Sequence, residues 1–282
     1  MSVFSQFGWR QESRLLSERT RFVRDEIPRD GPTICLDTTY GRNFNMVITL
    51  ANAIEYANRM DGVVVLANKQ WDQFFHMWFK TSHVPKVYRR PGGYRCDITH
   101  DASSHYFSRT TSFKGEAPFQ GNFRPQYNYL SLRKSVLNRG RDVLNSYRHS
   151  PDDPVVTVHQ RWLEGECFER HAKGDGCFGS TAYNFTCEYS AAIVEQHLPP
   201  EYRNASIILL GDGQRKDTES TFVHIDKHPF PVQAAMMVES DYHFGNPVSS
   251  VDGVIAHWRK GKRQFPEPCY QEITSNAGAM QG

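Results

Sequence analysis

The chain has 282 residues, is 39% hydrophobic and 23% charged, and carries 33 Lys+Arg against 31 Asp+Glu for a formal charge of +2. This length holds one large domain or two smaller ones with proper cores, and the abundance of aromatics excludes bulk disorder. A near-neutral total also argues against a dedicated nucleic-acid binder. The charge is unevenly placed: residues 1–150 hold 22 Lys+Arg and 13 Asp+Glu, leaving 11 and 18 for residues 151–282. Arginines outnumber lysines 23 to 10, and the guanidinium fork suits phosphate and carboxylate.

The N-terminal stretch lacks a signal-peptide pattern, and no apolar run approaches a membrane span. The chain therefore reads as soluble and cytoplasmic. Its six cysteines (Cys35, Cys96, Cys167, Cys177, Cys187, Cys269) form no C-x-x-C pair, so a zinc ribbon is unsupported, and free thiols are expected in a reducing cytoplasm. The even spacing of Cys167, Cys177 and Cys187 around His171 is poor for zinc, whose ligands favour closer pairs.

Thr33–Asp37 predicts a strand, followed by a turn and a helix whose Met46, Leu50, Ala53, Ile54 and Ala57 recur at helical spacing. Asp61-Gly62 ends that helix, Val63–Leu66 is a buried strand, and Trp71–Phe79 is a second helix. Residues 81–130 show no periodicity and read as a long loop. Leu130–Tyr147 is helical again. Ser150-Pro151-Asp152-Asp153-Pro154 is the best linker, dividing a domain of residues 1–150 from one of residues 151–282.

The second half repeats the alternation: strand Val155–Val158, helix Tyr189–His197, strand Ser206–Leu210, a short strand Phe222–Ile225, and helix Pro231–Glu239. Strand Tyr242–Phe244 follows, then a helix capped by Ser249 or Ser250 and running to Trp258. Two open α/β halves facing a cleft are the expected architecture.

Open parallel sheets bind ligands beyond the carboxyl ends of their strands. Four polar loops take that place: Gly41-Arg42-Asn43-Phe44-Asn45, His159-Gln160-Arg161-Trp162, Gly211-Asp212-Gly213-Gln214-Arg215, and Gly245-Asn246-Pro247-Val248-Ser249-Ser250. Together they describe a diphosphate site with a nearby sugar or base, although each alone is also explained as a turn, cap or ion-pair partner. Gly174–Gly179 matches G-x-G-x-x-G, but no strand precedes it, so it is no dinucleotide fingerprint. Walker A and G-x-S-x-G motifs do not occur.

Three segments carry a resemblance to the GT-B fucosyltransferase superfamily of protein O-fucosyltransferases and nodulation fucosyltransferases. Gly41–Asn45 resembles the G-R-x-x-N loop, Val158-His159-Gln160-Arg161 is similar to V-H-x-R, and Ser240–Ser250 resembles the closing strand, G-N and paired-serine motif. The resemblance implies a GT-B-like fold of two Rossmann-like domains and an inverting, metal-independent glycosyltransferase without a cofactor. Its donor would be a nucleotide-diphosphate sugar, GDP-fucose, and its acceptor a glycan or glycoprotein. It implies that Arg161 grips the diphosphate beside His159. Ser249 and Ser250 would hold phosphate, with Asn246 in the same motif, while Gly41, Arg42, Asn43 and Asn45 form the donor loop. Asp212 occupies a nucleotide-contacting loop.

Gln160–Glu164 lacks the R-x-G-D continuation of several relatives, which keeps UDP-xylose or another pentose donor as an alternative. Asp37 and Glu164 are the candidate general bases, chosen by position after strands rather than by motif. A non-catalytic module binding nucleotide sugar or glycan is the competing class, and a nucleic-acid binder using the basic half is a third.

Overall fold

The computed structural model describes residues 31–36, 43–67, 69–79, 87–89, 98–100, 113–114, 130–160, 166–173, 181–211, 223–224, 228–259 and 261–266. Packing divides the chain into two units, Met1–Val136 and Leu137–Gly282.

The first unit opens with β1 (Thr33–Leu36), all four residues buried, as a strand covered on both faces requires. The helix α1 (Asn43–Arg59) buries Phe44, Val47, Leu50, Ala51, Ile54 and Ala57 along one stripe. It stops where Asp61 turns left-handed (φ 51°) and Gly62 N–H donates to Ala57 O. A Cβ at Gly62 would stand 2.4 Å from Pro32 O, so only glycine lets the chain re-enter the sheet there. Strand β2 (Val63–Leu66) then pairs in parallel with β1, Thr33 opposite Val63 through Leu36 opposite Leu66.

The aromatics of α2 (Lys69–Trp78) recur at helical spacing because they form a core: Trp71, Phe74, Phe75 and Trp78 are buried, and Trp78 meets Phe44 edge-on at 5.3 Å. The loop expected over 81–130 contains three short strands. β3 (Val87–Arg89) joins β2 in parallel, β4 (Ile98–His100) joins β1 in parallel, and β5 (Phe113–Lys114) lies antiparallel to β4. The sheet order is β3-β2-β1-β4-β5. These three strands lie in a stretch rich in Gly, Ser, Thr and Arg, and so few residues each show no alternation in sequence.

In the second unit α3 (Lys134–Ser146) comes close enough to a later helix that a Cβ on Gly140 would lie 2.6 Å from Ala235 Cβ. Strand β6 (Val155–Gln160) is buried throughout. It is followed by α4 (Cys167–Ala172), a 3-10 segment Thr181–Cys187, α5 (Ala191–His197) capped by Ser190, and β7 (Ser206–Gly211). Then come β8 (Val223–His224), α6 (Phe230–Glu239), buried from Pro231 to Val238, β9 (Tyr242–Phe244), α7 (Ser250–Trp258) and β10 (Gln264–Phe265). All pairings are parallel, in the order β10-β9-β6-β7-β8. Val156, Val158, Tyr189, Val194, Leu209, Tyr242 and Phe244 form one core cluster of this unit.

Free thiols were expected, and the structure corrects this. Cys167 and Cys187 form a disulfide, Cys35 is disulfide-bonded as well, and no described cysteine is free. The separation of 20 residues is spanned because α4 and the 3-10 segment pack side by side, a proximity that sequence spacing does not show. Among the described residues no helix is long and apolar enough to cross a membrane.

Candidate active site

In the second sheet the chain runs outward from β6 to β7 and β8, then returns to the other side of β6 for β9 and β10. The strand order therefore reverses between β6 and β9, and the crevice at such a reversal is where open α/β sheets bind ligands. Register places the carboxyl ends together: Gln160 lies opposite Gly211, and Val158 opposite Phe244. His159, next to the last residue of β6, and the loop from Gly245 to Ser249 share this edge.

Ser249 is the N-cap of α7, its Oγ accepting from Val251 N–H at 3.3 Å, and Ser250 is the first helical residue. Asn246 is fully buried. Its Oδ1 accepts from Val248 N–H at 3.1 Å, and its amide donates to Cys167 Sγ at 3.2 Å, so the loop is pinned to the disulfide. Tyr189 O–H donates to Gly245 O at 2.6 Å; burial pushes the phenol well above its ordinary pKa and keeps it a donor. The loop is thus held from both sides before any ligand arrives.

His159 is 2% exposed and its Nδ1 lies 2.6 Å from Asp252 Oδ2. The other carboxylate oxygen, Oδ1, accepts from His243 Nε2 at 3.0 Å. Burial alone would raise the Asp252 pKa, but the attraction and hydrogen bonds of His159 and His243 outweigh it and hold the value at about 2. For His243 burial dominates and lowers the pKa against the pull of Asp252, so the ring is neutral. With its Nε2 hydrogen given to Asp252, its Nδ1 accepts from Thr157 Oγ1 at 2.9 Å. Thr157 Oγ1 is in turn 2.8 Å from Ser240 Oγ.

Behind Ser240 sits the buried Arg259, whose Nη1 donates to Ser240 Oγ at 2.9 Å and to Met237 O, while Nη2 donates to Arg263 O at 2.7 Å. Burial lowers its pKa only to about 10, so it stays charged at neutral pH. A polar line thus joins the C-terminus of α6 to the ligand edge of β6.

The structure brings together His159, Asn246, Ser249 and Ser250 from the sequence-predicted set. Asn43 and Asn45 are the first and third residues of α1, in the other unit. Asp37, Gly41, Arg42, Arg161, Glu164 and Asp212 lie outside the described residues. The segment ahead of Gly174–Gly179 is the helix α4. Cys167, His171 and Cys187 do cluster within 4.8 Å, but the two sulfurs are bonded to one another and His171 Nε2 pairs with Thr186 Oγ1 at 3.0 Å.

Sequence reasoning missed Asp252 and His243. The available signal was Ser249-x-x-Asp252, the pattern of a capping box. That pattern predicts an acid reaching back to the helix start, whereas here both carboxylate oxygens turn to histidines of neighbouring strands.

A scan against protein families and a search of curated proteins gave no match. Similar solved structures exist. The apo form of POFUT1 aligns with a TM-score of 0.57 at 13% identity, covering 86% of this chain and 98% of that one. POFUT1 in complex with GDP-fucose aligns in one crystal form at 0.55 and 14% identity, over 82% of this chain and 96% of that one. A second crystal form gives 0.54 and 15%, over 84% and 95%. The chain therefore has a fucosyltransferase-like α/β fold, of the GT-B class expected from its sequence. Two of these POFUT1 structures are complexes with GDP-fucose.

Proposed function

We propose that the protein is a glycosyltransferase that moves a sugar from a nucleotide-diphosphate donor, GDP-fucose, to a glycan acceptor with inversion at the anomeric carbon. The observation that carries this reading is the β6–β9 reversal, which sets His159 and the Asn246–Ser250 turn at one strand edge ahead of a helix N-terminus. The dipole of such a terminus favours phosphate.

In an in-line displacement the acceptor hydroxyl attacks the anomeric carbon while the bond to the donor phosphate breaks, and negative charge grows on the departing diphosphate. Arg161, next in the chain after β6, and the N-terminus of α7 answer that charge electrostatically, without metal or cofactor. Asp37, following β1, or Glu164 takes the acceptor proton. The likeness to POFUT1 favours GDP-fucose over UDP-xylose as donor. The disulfides favour an oxidising compartment over the cytoplasm expected from sequence.

The test is a thermal-shift panel of GDP, UDP and their sugar conjugates, each with and without EDTA. GDP and GDP-fucose should raise the melting temperature equally in both conditions. Stabilisation by UDP compounds alone would move the donor to a pentose. Loss of stabilisation with EDTA would overturn metal independence, and no shift with any nucleotide would overturn the reading.

A further inference from the structure

His159 lies at the ligand edge, yet its ring is fixed from behind. An ionised carboxylate only accepts hydrogen bonds, so the contact with Asp252 Oδ2 puts a hydrogen on His159 Nδ1 and leaves Nε2 as the acceptor nitrogen of the ring. That Nε2 bonds to no described residue. The carboxylate itself is anchored through His243, whose far side is held by Thr157, so it has one orientation. Room for it exists because residue 245 is glycine: a Cβ there would come within 2.9 Å of Asp252 Oδ1. Three elements of the second unit, β6, β9 and α7, therefore spend buried polar groups on the pose of one imidazole. Buried charge is costly, and a merely structural job at this place could be done by an apolar side chain.

We propose, resting on the nucleotide-sugar reading above, that Asp252 is a positioning residue for the donor: clamped by His243, it fixes the His159 imidazole so that Nε2 accepts a hydrogen bond from a ribose hydroxyl of the nucleoside diphosphate beyond β6. Asp252 touches no ligand and acts through His159. The same arrangement sets the ring tautomer in advance, so donor binding needs no reorganisation there.

The experiment is calorimetric titration of the full chain with GDP and with UDP for the wild type, Asp252→Asn, His159→Ala and the double variant, with ring-nitrogen NMR of the histidines. Asp252→Asn keeps the shape but gives one imidazole a donor in place of an acceptor. It should weaken nucleotide binding about tenfold, the weight of one hydrogen bond, and move the His159 hydrogen off Nδ1, leaving Nε2 a donor that faces the hydroxyl hydrogen. In the His159→Ala background the same substitution should cost nothing further. Unchanged affinity in Asp252→Asn, or an undiminished loss without His159, overturns the proposal.

If Asp252→Asn does not fold, His243→Asn loosens the clamp with the acid retained. It should cost about threefold, a partial loss of the same bond, and no loss refutes the idea. If the wild type binds neither nucleotide, the functional reading fails and the donor role with it. The NMR arm then still shows whether Asp252 sets the tautomer, which separates the two failures.

Discussion

Replacing both Cys167 and Cys187 with serine should lower the stability of the second unit by about 3 kcal/mol, from the closed-loop entropy of a 20-residue separation. The constraint acts on the unfolded chain, so the loss appears even though serine hydroxyls fill nearly the same space and position 167 can still accept from Asn246. For a unit of this size, about 2–4 °C per kcal/mol translates this into a fall of roughly 10 °C in melting temperature. Differential scanning calorimetry of wild type and double variant measures it. Reduction of the wild type is a weaker test, because Cys35 is also disulfide-bonded and would be released too. A melting temperature within about 2 °C of the wild type would refute the reasoning, since it would mean the unfolded state gains almost no freedom.

Gly140→Ala pits helix propensity, worth about 1 kcal/mol in favour of alanine, against the 2.6 Å approach to Ala235. Overpacking costs typically about 1–3 kcal/mol, so net destabilisation is expected in urea unfolding; a more stable variant would show that the helices separate freely. Burial holds His257 down to about 4 from its ordinary 6.5. The unfolded chain therefore binds the extra proton first: this contribution is complete above pH 6.5 and is lost as pH falls towards 4, by up to about 3 kcal/mol. His257→Leu should flatten the slope of stability over that window, and an unchanged slope contradicts the assignment. Arg161→Ala should reduce sugar transfer at least about a hundredfold while leaving the melting temperature near normal, and near-normal turnover would sink its diphosphate role.

The long, strongly patterned elements were legible in the sequence. The Val63–Leu66 and Tyr242–Phe244 strands emerge with those limits, the first as a continuous apolar run and the second as two aromatics between Ser240-Asp241 and Gly245-Asn246. Ser249 or Ser250 was readable as the cap of α7, and the cap is Ser249. The short strands β3 to β5 were not legible, because so few residues carry no period and their pairing is decided by partners distant in the chain. The same holds for the candidate site. His159 and Ser249 announced themselves by following strands. Asp252 carried only the weak signal of an acid three residues after a capping serine, and only the juxtaposition of β6 with β9 reveals its histidine partners.

That juxtaposition also orders events in time. The loop between Cys167 and Cys187 spans 20 residues and can close soon after it is made. The pairs Thr157–His243 and His159–Asp252 join residues 86 and 93 apart, so β6 must wait for most of its unit before gaining its second neighbour. Non-local contacts of this kind form slowly. The imidazole at the ligand edge is therefore among the last groups to be set in place, and competence to bind should appear after, not with, the bulk of the helical signal during refolding.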